Sequence, residues 1–122
     1  MKDLVGIDIG GSHISSLLVS RGPLGYEVHS PLFTTKVDGK ASRSEILTAW
    51  QRHLNFTISQ SADFSGNVAV AIPGPFEYDK GIARFPAGGK FASLNGINVK
   101  ENFMNAALST KNKVEGVRFT ND

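Results

Sequence analysis

The chain has 122 residues, and its 13 Lys and Arg residues nearly balance its 11 Asp and Glu residues, leaving a net charge of +2. This length fits one domain, and so small a surplus argues against a nucleic-acid or membrane surface. The sequence has no cysteine, which excludes a disulfide framework, a thiol nucleophile and a thiolate metal site within these residues. No apolar run approaches the roughly 20 residues that cross a bilayer. We therefore expect a soluble, cytoplasmic domain.

The first third of the chain has the pattern of an antiparallel β-meander. Residues 3–9 form a mostly apolar run that ends at Gly10-Gly11, which is typical of a buried strand. Residues 13–20 and 26–34 are predicted as the second and third strands, and the turns between them are short. Pro31 must then lie at an edge or a bulge of the third strand.

A helix is predicted from about residue 43 to 60. Ser42 and Glu45 have the spacing of a capping box, in which each side chain satisfies a free backbone N–H at the start of a helix. Apolar residues then recur on one helical face: Ile46, Leu47, Trp50, Leu54 and Ile58. His53 lies within this helix, and we expect it to be exposed.

The second half of the chain alternates strands with one helix. Residues 67–72 form a continuous apolar run, the pattern of a strand covered on both faces, and residues 81–85 predict another short strand. A helix is predicted over 98–109, with Asn98 and Glu101 as its capping pair, and a final strand over 116–120. The order is βββ-α-ββ-α-β, a mixed α/β domain.

The segment after the first predicted strand has the composition of a phosphate-binding loop. Asp8 lies late in the strand and is followed by Gly10, Gly11 and Ser12. Glycines let backbone N–H groups approach phosphate oxygens, and a carboxylate can hold Mg²⁺ or its waters. No Gly-Lys-Ser/Thr follows and no helix begins after the glycines, so this is no P-loop. The alternative is a tight hairpin turn that needs positive φ.

Three other segments are candidates for a ligand site. The loop Pro73-Gly74-Pro75 could present backbone groups to a ligand or could simply end a strand. Residues 86–95 are long enough to line a cleft or could be a plain surface loop. At the end of the last strand, Asp122 could accept a proton from a substrate hydroxyl and Asn121 could bind sugar oxygens, although Asn-Asp is also a turn dipeptide. Ligands of open α/β sheets collect at the carboxyl ends of strands, so the chain is expected to end at a site.

Four segments in this order resemble the ROK family (repressor, open reading frame, kinase), a sugar-kinase branch of the actin-like ATPase fold. They are LVGIDIGGSHISSLLV at 4–19, VAVAIPGPFEYDKGIARFP at 68–86, FASLNGINVKENF at 91–103 and VRFTND at 117–122. The resemblance covers nearly the whole chain. It implies a ribonuclease H-like (actin-like ATPase) lobe, in which a mixed sheet opens with a three-stranded antiparallel meander and is covered by helices.

The resemblance also implies an activity and assigns roles to residues. The expected activity is ATP-dependent phosphorylation of a glucose-like hexose at its 6-hydroxyl. Asp122 would be the general base, and Asn121 and Gly74 would bind or border the sugar. The loop for the phosphates and Mg²⁺ of ATP would consist of Asp8, Gly10, Gly11 and Ser12, with Asp8 as the residue that binds the metal. No structural zinc is expected in this chain.

The sequence departs from the family's pattern at several points. His13 replaces the Lys, Thr or Asn that often follows the Gly-Gly-Thr/Ser unit, and Leu94 stands where many members have Trp. The family's second lobe, with its adenosine site, is not in these residues. We therefore expect residues 1–122 to be the N-terminal lobe of a bilobal kinase and to be inactive alone, with a possible homo-oligomer in the full-length protein.

Two other functions agree with the same motifs. One is the sugar-sensing lobe of a ROK-type transcriptional repressor; such repressors have a helix-turn-helix before the phosphate motif, and the motif begins at residue 4 here, so we expect no nucleic-acid partner and no membrane partner. The other is a non-catalytic sugar-binding member, which the presence of both Asp8 and Asp122 disfavours. The identity of the hexose is left open.

Overall fold

The computed structural model describes residues 2–106 and 113–122. In chain order its elements are β1 (Asp3–Ile9), β2 (His13–Gly22), β3 (Gly25–Val28), β4 (Phe33–Lys36), α1 (Arg43–Ser59), β5 (Phe64–Ile72), β6 (Phe76–Glu77), β7 (Ile82–Ala83), α2 (Val99–Met104) and β8 (Gly116–Asn121). A short 3₁₀ turn at Ala92–Leu94 precedes α2. The mixed α/β class predicted from the sequence is confirmed.

The main sheet is mixed, with the strand order β3-β2-β1-β5-β8 and β4 paired to the same strand as β3. β1, β2 and β3 pair antiparallel, which confirms the predicted meander. β5 then pairs parallel to β1, and β8 pairs parallel to β5. Three neighbouring strands therefore have their carboxyl ends at one edge of the sheet.

The helices cover one face of this sheet. Val5, Ile7 and Ile9 alternate inward along β1 and are buried together with the apolar stripe of α1, of which Ile46, Trp50 and Leu54 are fully inaccessible. Trp50 is at the centre of the core, since its ring packs on those of Phe91 and Phe103 at centroid distances of 5.5 and 6.0 Å. The helical periodicity of the sequence thus identified the face that packs on the sheet.

Both predicted helix caps are present. Ser42 Oγ accepts a hydrogen bond from the Glu45 N–H at 3.2 Å, which is the N-cap bond, but the Glu45 carboxylate accepts from the Ser42 hydroxyl at 3.1 Å rather than from the backbone N–H that a capping box uses. At the start of α2, Asn98 Oδ1 accepts from the Glu101 N–H at 2.9 Å. α2 ends at Met104, earlier than predicted, and residues 107–109 of the predicted helix lie outside the described residues.

The predicted third strand over 26–34 is wrong in detail, because two strands take its place. β3 and β4 both pair with β2, and the chain between them leaves the ladder. Ser30 Oγ accepts the Leu18 N–H at 2.8 Å, where a strand would offer a backbone carbonyl. Pro31 follows and has no N–H to donate, so the pairing stops there.

Two further expectations need correction. The short strand predicted over 81–85 is only Ile82–Ala83, and it pairs with β6 in a two-stranded ribbon that the sequence did not predict, which makes the order ββββ-α-βββ-α-β. Positive φ at Gly81 and the bond from its N–H to the Glu77 carbonyl at 2.7 Å close this ribbon. β5 is covered on one face only, since Asn67 and Ala69 are exposed.

Candidate functional site

The candidate site lies where the parallel strands β1, β5 and β8 end. Asp8 is in register with Ala71, and Ala71 is in register with Thr120 on the next strand. Ile72 pairs with Asn121, and the Asp122 N–H donates a hydrogen bond to the Ile72 carbonyl at 3.3 Å. The fold therefore brings the end of β1, the loop after β5 and the Asn-Asp pair after β8 to one edge, where ligands of such sheets bind.

The carboxyl groups of Asp8 and Asp122 are electrostatic neighbours. Slight burial, the negative charge of Asp122 and a side-chain hydrogen bond with Asp122 all raise the pKa of Asp8 above its ordinary value of 3.8. Two carboxylates this close repel each other when both are ionised, and a shared proton or a bound cation removes the repulsion. The structure thus places Asp8, which the sequence analysis assigned to the phosphate side, close to Asp122, which it assigned to the sugar side.

The loop after β1 is a tight connection between antiparallel strands. The Gly10 N–H donates to the His13 carbonyl at 2.9 Å, and the hydroxyl of Ser12 is 2.9 Å from Nδ1 of the exposed His13. Neither Gly10 nor Gly11 is among the glycines with positive φ. A turn that needs positive φ therefore does not explain why these two positions are glycine.

The side chain of Lys90 lies very close to Gly11. A Cβ on Gly11 would lie 2.5 Å from both Cδ and Nζ of Lys90, and a Cβ on Gly39 would lie 2.8 Å from the Gly11 carbonyl oxygen. The loops around residues 11, 39 and 90 therefore converge on one another. A Cβ at position 39 would meet a backbone atom, whereas a Cβ at position 11 would meet only the flexible end of the Lys90 side chain, which can move aside.

The Pro73-Gly74-Pro75 loop forms the next part of the edge, and its Gly74–Pro75 peptide bond is cis. The Tyr78 hydroxyl lies beside this loop: it donates to the Ile72 carbonyl at 3.0 Å and would be 3.2 Å from a Cβ on Gly74. Burial and then the negative charge of Asp122 raise the pKa of Tyr78 above 10.0. Tyr78 is thus a neighbour of both Gly74 and Asp122.

A cleft of about 380 Å³ separates the glycine loop from the Pro-Gly-Pro loop. It is lined by Gly11, Pro73, Gly74, Pro75, Phe85, Pro86, Gly89, Lys90 and Phe91. The predicted loop over 86–95 thus lines a cleft through its first half. The cleft brings Gly11 and Gly74 together, but Asp8 and Asp122 are not among its lining residues and lie near the end of β1 and directly after β8.

Two residues of this site were missed by the sequence analysis. Lys90 lies in the predicted loop, but no motif singled it out, and the only signal is a basic residue after two glycines. Tyr78 gave no signal at all, because its hydroxyl reaches the site only through the β6–β7 ribbon. Both positions depend on the tertiary fold rather than on local pattern.

The other histidines lie elsewhere. His53 is 4% exposed, so the expected exposure is wrong. Its Nε2 is 2.8 Å from Ser16 Oγ on β2 and its Nδ1 is 2.8 Å from Thr35 Oγ1 on β4, which supplies the partners that a buried imidazole needs. His29 Nε2 contacts the carboxylate of Asp3 at 2.5 Å, at the start of β1 and thus at the other end of the sheet.

A divalent cation would suit the donors at the strand ends. Within residues 2–106 and 113–122 there is no cluster of three or more His, Cys, Asp or Glu side chains that would form a metal cage. The Asp8–Asp122 pair offers carboxylate oxygens, the ligand type Mg²⁺ prefers, and their mutual repulsion is what a cation would relieve. Mg²⁺ commonly takes one or two carboxylates and completes its shell with waters and substrate phosphates.

No helix in the described part of the chain is long and apolar enough to span a membrane.

Solved structures share this fold over almost the whole chain. A glucokinase from Parabacteroides distasonis superposes with a TM-score of 0.79 at 14% identity, covering 98% of this chain and 30% of that one. A ROK family glucokinase from Streptomyces griseus, in complex with glucose and AMPPNP, gives 0.70 at 16% identity, with 98% and 33% covered. A ROK family transcriptional regulator, a homologue of the E. coli MLC protein, gives 0.71 at 16% identity, with 98% and 28% covered.

These matches establish the fold and its extent. The chain has the fold of a part of the ROK sugar kinases, as the motif resemblance implied, and it spans about a third of the length of the matched chains. No protein-family model matches the sequence, and no curated protein matches it significantly. A kinase and a regulator share the fold, so the fold alone does not separate these two functions.

Proposed function

We propose that residues 1–122 are the N-terminal lobe of a cytoplasmic bilobal sugar kinase of the ROK family, which phosphorylates a glucose-like hexose at its 6-hydroxyl with ATP. The proximity of Asp8 to Asp122 is the observation that supports this function most strongly. Phosphoryl transfer needs the base on the acceptor hydroxyl and the groups that hold the donor phosphates to be adjacent, and these two carboxylates represent the two sides.

Each residue of the strand edge has a role in this reaction. Asp122 accepts the proton of the sugar hydroxyl as its oxygen forms a bond to the terminal phosphorus, while the bond from that phosphorus to the bridging oxygen breaks and ADP leaves. Asn121 binds the sugar, and Gly74 leaves room beside it. The loop of Gly10, Gly11 and Ser12 holds the donor phosphates. Asp8 would hold Mg²⁺, which supplies positive charge to the phosphate oxygens when it is bound.

The activity test uses the intact protein and a panel of hexoses with ATP. We expect phosphorylation of at least one hexose, and we expect the 122-residue chain alone to show none. Asp122→Asn keeps the size of the side chain but removes the proton acceptor, so kcat should fall by roughly 10²-fold or more with little change in the KM for sugar. Asn121→Ala should mainly raise that KM. Near-normal kcat in Asp122→Asn would remove Asp122 from the role of base.

A sugar sensor is the second candidate, and the structural match to a ROK family transcriptional regulator supports it. Such a protein would bind a hexose through the same edge and use it to change its affinity for DNA. The intact protein would then bind sugar without consuming ATP and would bind DNA in a sugar-dependent manner. A non-catalytic sugar-binding member would show neither ATP use nor DNA binding.

A further inference from the structure

We propose that Lys90 binds the terminal phosphate of the phosphoryl donor, an inference that rests on the proposed function and adds a residue that no sequence motif assigns. The side chain of Lys90 lies against the glycine loop, since a Cβ on Gly11 would be only 2.5 Å from its Nζ. Lys90 also lines the cleft that Gly11 and Gly74 line. Its side chain therefore lies beside the donor loop, in a cleft that the donor loop shares with the acceptor loop.

The backbone around Lys90 is fixed by the residue that follows it. Phe91 has a φ of 62°, and among the described residues other than glycine it alone has a positive φ. This conformation is unfavourable for a bulky side chain, so the surrounding structure has to maintain it. The Phe91 N–H donates to the Gly39 carbonyl at 2.7 Å, and its buried ring packs at 5.5 Å on both Trp50 and Phe85. The core thus holds the turn that directs Lys90 toward Gly11.

The ammonium group of Lys90 is available for an anion. Within residues 2–106 and 113–122 it makes no hydrogen bond to a protein group and no ion pair. Lys40, which lies close to the same loop, differs, because its Nζ donates to the Gly88 carbonyl at 3.2 Å. A lysine held over a glycine loop without a protein partner is suited to a phosphate, which accepts charge-assisted hydrogen bonds.

The position of Lys90 favours the terminal phosphate over the inner ones. The cleft is lined by Gly11 on the donor side, by Gly74 on the side proposed for the sugar, and by Lys90. The phosphoryl group that is transferred must pass between those two sides, and its equatorial oxygens carry the charge that a nearby cation stabilises. Lys90 would therefore contact the terminal phosphate of the donor before transfer and would stabilise the phosphoryl group during transfer.

Binding of inorganic tripolyphosphate to the 122-residue chain tests this inference without adenosine or turnover. We expect a titration followed by amide NMR to shift the signals of Gly11 and Lys90. Lys90→Met should raise the Kd at least about tenfold, the usual scale for a lost charge-assisted bond, and Lys90→Arg should restore most of the affinity. Lys2→Met is the matched control, since it removes one positive charge at the opposite end of β1 and should leave the Kd within about twofold.

Gly11→Ala tests the position of the Lys90 ammonium group without removing its charge. The new Cβ would displace the Lys90 side chain while the net charge stays the same. We expect weaker tripolyphosphate binding, approaching that of Lys90→Met, with a urea unfolding curve close to that of the wild type, because a flexible side chain can move aside. A Gly11→Ala chain that binds as tightly as the wild type would overturn the proposed position.

The remaining outcomes distinguish this inference from the proposed function. Absence of tripolyphosphate binding by the wild-type chain overturns it, as does an equal loss in Lys90→Met and Lys2→Met. If the intact protein phosphorylates a hexose and Lys90→Met changes neither kcat nor the Kd for tripolyphosphate, the inference fails and the kinase stands. If Lys90→Met weakens tripolyphosphate binding but the intact protein phosphorylates no hexose, the phosphate site stands and the kinase fails.

Discussion

Neutralising either carboxylate of the Asp8–Asp122 pair should stabilise the chain. At about 4 Å, two unit charges repel by about 1 kcal/mol in water and about 4 kcal/mol at the effective dielectric of a protein surface. Both side chains are exposed, so we take the lower figure. We expect Asp8→Asn and Asp122→Asn each to raise the free energy of unfolding by about 1 kcal/mol at pH 7. The double variant should gain no more than either single one, which gives a coupling energy of about 1 kcal/mol.

Urea unfolding of the 122-residue chain across a range of pH measures this effect. The pKa of Asp8 is raised in the folded state, so its ionised form costs stability at neutral pH. The gain from Asp8→Asn should therefore be complete near pH 7 and should disappear as the pH falls toward 3.8, the ordinary value for the unfolded chain. Asp63→Asn, before β5, is the control and should change stability by less than about 0.5 kcal/mol. Additive gains in the double variant would refute the contact between the two carboxylates.

Two further predictions concern the scaffold. Burial lowers the pKa of His53 below 6.5, so wild-type stability should fall as the pH drops below 6.5, by up to about 1.4 kcal/mol per pH unit. His53→Gln should flatten that slope in urea unfolding at pH 7 to 5, and parallel profiles would contradict it. Ser42→Ala removes the cap of α1 and should cost about 1 kcal/mol of unfolding free energy. Ser44→Ala, one residue into the helix, should change it by less than about 0.5 kcal/mol, and an equal loss in both would contradict the cap.

The sequence predicted the elements whose signals are local. β1 follows from an apolar run ended by two glycines, and α1 follows from its capping pair and its helical periodicity. The strand-end positions of Asp8 and Asp122 were predicted for the same reason, since each comes directly at the end of a strand-like run. The parallel order of β1, β5 and β8 then brings the two residues together.

The errors arise where a partner distant in sequence decides the structure. Nothing near Ser30 shows that its hydroxyl takes the place of a carbonyl opposite Leu18, so the break between β3 and β4 was missed. His53 lies on the inner side of α1 because Ser16 and Thr35, on two strands, offer hydroxyls to it. Lys90 reaches Gly11 because Phe91 is anchored in the core.

The charges at the strand ends indicate which form of phosphate the edge would accept. Asp8 and Asp122 repel each other, while the ammonium group of Lys90 lacks a protein partner within the described residues. A free phosphate would satisfy Lys90 but would leave the repulsion between the two carboxylates in place. A lone cation would satisfy the carboxylates and leave Lys90 unpaired. A phosphate that carries Mg²⁺ would satisfy both, because carboxylates are ligands of the type that Mg²⁺ prefers and the ammonium group of Lys90 can donate to phosphate oxygens. The charge pattern of this edge therefore favours a metal-bound phosphate over either ion alone, and this is the form in which kinases use ATP.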